Sequence, residues 1–103
     1  MDTGRVFTAS RFTAGNFLFP VRIEVSRERV ARTRSTIFGS SEESIALAKV
    51  ASVGIQTGVL WADIRIDSTG GSSPIVSHGH SKADAHEMRD LIERFQKESP
   101  SAG

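Results

Sequence analysis

The strongest constraint on the fold lies in Leu60 to Asp67, LWADIRID, where apolar and mostly polar side chains alternate, Trp61 being the exception on the polar side. Side chains of an extended strand point to opposite faces in turn, so Leu60, Ala62, Ile64 and Ile66 share one face and Trp61, Asp63, Arg65 and Asp67 the other. One oily face backed by a wet one predicts an antiparallel sheet covering a core on one side, because strands buried on both sides read as continuous apolar runs. Upstream, Ile45 and Leu47 keep the same two-residue period, lose it across Ala48 to Ser52 and resume it at Val53 and Ile55. A strand that bends or ends at a corner leaves this pattern, so two short strands are expected there, with a turn at Thr57 and Gly58 before the next.

The flanking segments read as partners of this block. Phe17, Phe19, Val21, Ile23 and Val25 alternate with Leu18, Pro20, Arg22 and Glu24, a half-buried strand in which Pro20 must sit at an edge, a bulge or the start. Ser26 to Glu28 forms a polar turn, Val30 to Phe38 the return strand, and Gly39 to Glu43 a polar loop. Gly70 and Gly71 suit a tight hairpin turn, after which Ile75 and Val76 begin a closing strand. From Ser81 the period changes. Ser81 has the chemistry of an N-cap, Asp84 follows three residues later, and Ala85, Met88, Leu91, Ile92 and Phe95 recur at spacings of three and four. The result is an amphipathic helix of about four turns. Its outer face mixes charges of both signs and is expected to be solvated.

The chain of 103 residues has room for one core. The expected organisation is a poorly specified arm over residues 1–16, with a short strand near Arg5 to Ala9, one domain over 17–98, and a disordered tail over 99–103. Cysteine is absent, which rules out disulfides and cysteine metal sites and suits a reducing compartment. No apolar run approaches the roughly 20 residues of a membrane-spanning helix, and the first residues do not form a signal peptide. A cytoplasmic location is therefore expected. A net charge of +1 gives no overall pull toward nucleic acid or anionic lipid, so an electrostatic partner would need a local cluster.

Several short strands followed by one helix with a single apolar stripe specify a small curved sheet or partly open barrel, mainly β, that the helix plugs. At this level the sequence resembles the short bacterial pleckstrin-homology-like (PH-like) domains. The shared pattern comprises the hairpin turn of Val25 to Val30, the Ile-Ala-Leu strand and step of Ile45 to Val53, the Gly-led strand of Gly58 to Ile66, the Gly70-Gly71 hairpin, and the helix start of Lys82 to Ala85. It covers roughly Pro20 to Gln96 and omits the Phe-rich arm. The resemblance implies a bent antiparallel sheet of about seven strands closed at one corner by the helix. It implies less about activity, since that fold hosts phosphoinositide readers, peptide binders and modules that assemble with one another.

Two groups of residues are candidate sites. Arg22, Arg27, Arg29, Arg32 and Arg34 against Glu24 and Glu28 leave this stretch with a local excess of +3. Lipid-binding members of the wider superfamily grip inositol phosphates with basic residues around this hairpin, and guanidinium forks bind phosphate oxygens bidentately. The resemblance thus makes Arg27, Arg29, Arg32 and Arg34 an anion or lipid-headgroup candidate. The competing reading pairs the arginines with Glu24 and Glu28 across the hairpin as a solvated face. Trp61 is the second candidate, because strand parity turns it away from Ile64 and Ile66. Either it is buried within the chain, the favoured placement, because Phe17 or Phe19 of the arm covers it or a bulge turns it inward, or it is exposed and marks an interface. Together Phe17, Phe19 and Trp61 form the candidate interaction surface.

No metal site is expected. His78 and His80 share a face if their strand continues, but His86 lies about 200° around the helix from Asp84. His80, beside the helix's positive end, is expected to be harder to protonate than usual. No strained nucleophile turn or phosphate-cradling loop is present, no cofactor is implied, and aromatic residues do not interleave with basic ones as a nucleic-acid platform requires. The sequence therefore points to a non-catalytic interaction module. Its partner is a protein or a second copy of itself, with anionic phospholipid as the alternative and nucleic acid not expected.

Overall fold

Ser26 sets the first hairpin of the fold. Its Oγ accepts the backbone N–H groups of Glu28 (3.3 Å) and Arg29 (3.2 Å), turning β2 (Arg22–Val25) into β3 (Arg29–Thr36). In the computed structural model, which describes residues 4–10, 19–70 and 73–98, these strands lie inside a four-stranded antiparallel sheet. Its order is β1-β2-β3-β4, with β1 at Arg5–Thr8 and β4 at Gly39–Ala46. The chain then passes through one turn of 3-10 helix, Leu47–Lys49, into a three-stranded antiparallel sheet of β5 (Val50–Thr57), β6 (Trp61–Ser68) and β7 (Ile75–Ser81). Helix α1, Lys82–Glu98, follows directly. The fold is mainly β: two sheets, not closed into a barrel, and one C-terminal helix.

The core forms where the inner faces of both sheets meet the helix stripe. Val25, Val30, Ile45 and Leu47 from the first sheet and the bend, and Ile64, Ile66 and Ile75 from the second, enclose Met88, Leu91, Ile92 and Phe95. The buried residues of α1 are those its three-four spacing picks out, and the Asp84 N–H donates to Ser81 Oγ at 3.1 Å, which makes Ser81 the N-cap. Each fully buried Met, Ile or Phe contributes about 1.5–3 kcal/mol, so the stripe is a major stabilising term. The bend is held from the far end of the helix. The Gln96 side-chain amide donates to the carbonyls of Leu47 (3.2 Å) and Val50 (3.1 Å), reinforcing the bond that the Val50 N–H makes to the Leu47 carbonyl across the 3-10 turn.

The structure revises four expectations. Gly39 to Glu43 is strand rather than loop. This first part of β4 pairs with the end of β3, Thr36 against Gly39 through Arg32 against Glu43, but reaches past the core, so both its faces meet water and no alternation marks it. Leu60 does not share the buried face of Ile64 and Ile66. With Val59 it forms the tip of the β5–β6 hairpin, closed by Gly58 N–H donating to the Trp61 carbonyl at 2.8 Å, and it is 70% exposed. Arg5–Thr8 is the short strand expected near Arg5 to Ala9, but it belongs to the domain rather than to an arm: it pairs with β2 and places Phe7 in the core.

The fourth revision concerns His78 and His80, which do not share a face. Between Ala62 and Ile64 the β6–β7 register shifts, so two residues of β7, His78 and Gly79, stand against Asp63 alone. Gly79 takes a φ of 84°, which its missing Cβ permits, and the extra residue sends His78 to solvent and His80 inward.

Candidate functional site

The arginines of the first hairpin do not converge. Arg27 stacks over the Phe95 ring at 4.5 Å and pairs with Glu98 at 2.9 Å, tying the β2–β3 turn to the end of the helix. Arg29 approaches Glu42 at 3.7 Å, and Arg32 Nη1 donates to Glu43 Oε1 at 2.8 Å. Among the described residues, the carboxylates meeting Arg27, Arg29 and Arg32 come from β4 and α1 rather than from Glu24 and Glu28 across the hairpin. Arg32 lies opposite Ile23 on the face carrying Val30, which leaves its side chain 27% exposed. Arg34 follows on the same face by parity and is half-buried. At the end of this β3–β4 hairpin, Ile37 (78% exposed) and Phe38 (98%) project into solvent.

Trp61 is half-buried at the start of β6, where it pairs with the helix cap Ser81. It lines a shallow hollow with Gln56, Asp63 and the hairpin tip Val59–Leu60. Phe19 is also half-buried, and Phe17 lies outside the described residues. A second hollow is lined by Gln56, Asp63, Arg65, Val76 and His78, where His78 Nδ1 stands 3.3 Å from Asp63 Oδ2.

His80 occupies a different environment. Its Nε2 lies 2.6 Å from Ser77 Oγ, and both side chains are fully buried. Burial lowers its pKa below 6.5, outweighing the opposing pull of Asp84 and Asp63, and the nearby His78 lowers it further. The direction agrees with the expectation from the sequence, but desolvation rather than the helix terminus is the main cause. A serine beside an imidazole base is nucleophile chemistry only where a substrate can reach it, and both groups lie beneath the surface. Among the described residues no three His, Asp or Glu side chains gather as metal ligands, and no helix is long and apolar enough to cross a membrane.

The feature that residue-by-residue reading missed is the β5 edge. Strand β5 pairs with β6 on one side, and among the described residues no strand pairs with the other. Over Val50–Thr57 it carries no charged residue and no proline. It ends in the Val59–Leu60 tip, where Val59 is 90% exposed. Two apolar residues directly after Gly58, where a turn usually places polar ones, were the available signal for that tip. Compared with known proteins, the sequence matches no family model and no curated protein.

Proposed function

We propose that this chain is a non-catalytic interaction module of the PH-like kind that binds protein, a second copy included, by adding a strand to the open edge of β5. The observation that carries the reading is the edge itself: an uncharged, proline-free strand whose outer backbone groups meet no strand among the described residues is a template for another chain. The hollow beside Trp61 and the exposed Val59–Leu60 tip supply apolar surface next to that edge. Two successive antiparallel sheets of four and three strands followed by a helix also suit PH-like architecture. A cytoplasmic site of action belongs to the same reading and fits a cysteine-free sequence.

Selection of random displayed peptides on the immobilised domain tests this reading, together with light scattering of the free domain at rising concentration. Expected are extended, β-branched peptides, or self-association, that Ile55→Lys abolishes. If neither peptide nor second copy binds in an Ile55-dependent way, the reading is wrong.

A second reading, anionic phospholipid binding, has one observation in its favour. The hairpin carrying Arg29, Arg32 and Arg34 ends in the exposed pair Ile37–Phe38, and an apolar tip beside cations suits a membrane surface. Against it, Arg27, Arg29 and Arg32 already meet carboxylates. Co-sedimentation with phosphatidylserine vesicles, comparing the native chain with Arg32→Glu/Arg34→Glu and with Phe38→Ser, decides it. Equal binding by all three, or none, removes the lipid reading.

A further inference from the structure

We infer that β5 takes a second copy of itself, antiparallel, with a two-fold axis at Gly54. This rests on the strand-addition reading above and names its partner.

The argument starts from the hydrogen-bond phase of β5. Gly58 bonds Trp61 across the hairpin, and bonded pairs alternate along an antiparallel ladder. Gln56 and Gly54 therefore direct their backbone groups at β6, while Thr57, Ile55 and Val53 direct theirs at the open edge. Pairing across a two-fold at Gly54 matches each residue with its mirror in the count: Val53 with Ile55 of the second copy, and Ser52 with Gln56 of the second copy. Val53 and Ile55 thus supply the intermolecular hydrogen bonds, and both have open backbone groups to do so.

The side chains agree with the backbone. Val53 and Ile55 are half-buried and pack against the core on the inner face, so each aliphatic residue meets an aliphatic one and covers its exposed remainder. Ser52, Gly54 and Gln56 are exposed on the outer face, so polar meets polar. The order polar, aliphatic, glycine, aliphatic, polar reads the same in both directions, which a two-fold interface requires. Gly54 stands on the axis, where two strands in the non-bonded phase bring their Cα atoms to about 4.5 Å, and a strand glycine often marks such an approach. A Cβ built on Gly54 meets nothing within 4 Å, so packing inside the protomer does not explain the glycine. The other sheet's edge strand, β4, offers no such match, because Glu42 and Glu43 would bring carboxylates together.

Because the chain has no cysteine, Gly54→Cys tests the axis directly: Cα atoms at about 4.5 Å fall within disulfide range. Mild oxidation of the full chain should convert Gly54→Cys to a disulfide-linked dimer and leave the β4 variant Ser44→Cys monomeric. In light scattering, Ser52→Lys/Gln56→Lys should raise the apparent dissociation constant about tenfold by opposing like charges twice. Ser52→Lys/Gln56→Glu, which pairs opposite charges in the same register, should restore dimerisation. A dimer in which Gly54→Cys does not cross-link, or in which both lysine variants dissociate equally, overturns the two-fold at Gly54 while strand addition stands. A chain that stays monomeric at high micromolar concentration overturns the inference too, and strand addition is then judged by the peptide selection alone.

Discussion

Strands β4 and β5 leave the same bend in opposite chain directions, each is an edge strand of its sheet, and they are built in opposite ways. The outer part of β4, Gly39 to Ser44, is exposed throughout and holds Glu42 and Glu43, each close to an arginine of β3. Strand β5 has no charge and ends in an apolar tip. Charges along an edge make pairing with another chain costly, because the incoming strand must bury them or meet its own copies of them. On the strand-addition reading, one edge is closed to partners by composition and the other left open. The contrast teaches that two unpaired backbone edges can differ in what the side chains beside them would let approach.

The comparison breaks most severely at the anchor both strands share. Ile92→Ala removes a fully buried side chain beneath the bend, and a loss of about 2–5 kcal/mol is expected in urea unfolding. Aggregation should rise with the unfolded fraction, and more through the uncharged β5 than through β4, which keeps Glu42 and Glu43. Gln96→Ala acts on the bend alone. It leaves the carbonyls of Leu47 and Val50 without their side-chain donor, at a cost of about 1–3 kcal/mol. Hydrogen exchange should speed up in Val50 to Ser52 while the β3–β4 hairpin stays protected.

Removing the guards sharpens the contrast. Glu42→Thr/Glu43→Thr gives β4 an uncharged edge like that of β5, and the pairs it breaks are exposed ones worth about 0–1 kcal/mol each. Stability should change little while concentration-dependent association rises, read by light scattering. If no association follows, charge is not what keeps β4 apart. The smallest effect belongs to pH. His80 has a lowered pKa in the folded protein, so the unfolded chain binds more protons as pH falls below 6.5. Stability is therefore complete above that value and declines below it. A thermal midpoint lower at about pH 5.5 than at pH 7.5, with a smaller difference in His80→Gln, is the expected result.

Much of this architecture was legible in the sequence. The helix was readable because one stripe and one cap coincide in register, with Met88, Ile92 and Phe95 inside and Ser81 at the start. The inward alternation of β2 and β6 was readable for the same reason: each has one face in water and one in the core. The first half of β4 was not, because a strand extending beyond the core has two wet faces and no period to detect. The continuation of β7 through His80 was hidden by the bulge, which shifts parity through a single glycine. Of the candidate site, the uncharged run of β5 stands in the sequence, but which strand ends at an edge is decided by pairing between distant segments. The arginines looked like one cluster along the chain, and their partners on β4 and α1 separate them in space.

Helix α1 follows every strand it covers, and this order matters while the chain is being made. Until Met88, Ile92 and Phe95 emerge from the ribosome, the inner faces of both sheets and the whole uncharged length of β5 are available to any neighbouring nascent chain, at about 5–20 residues synthesised per second. Gln96, in the last turn of that helix, is the clasp on the corner and arrives last. The strands are thus synthesised before the helix that closes them, and the edge of β5 is most exposed to capture in that interval.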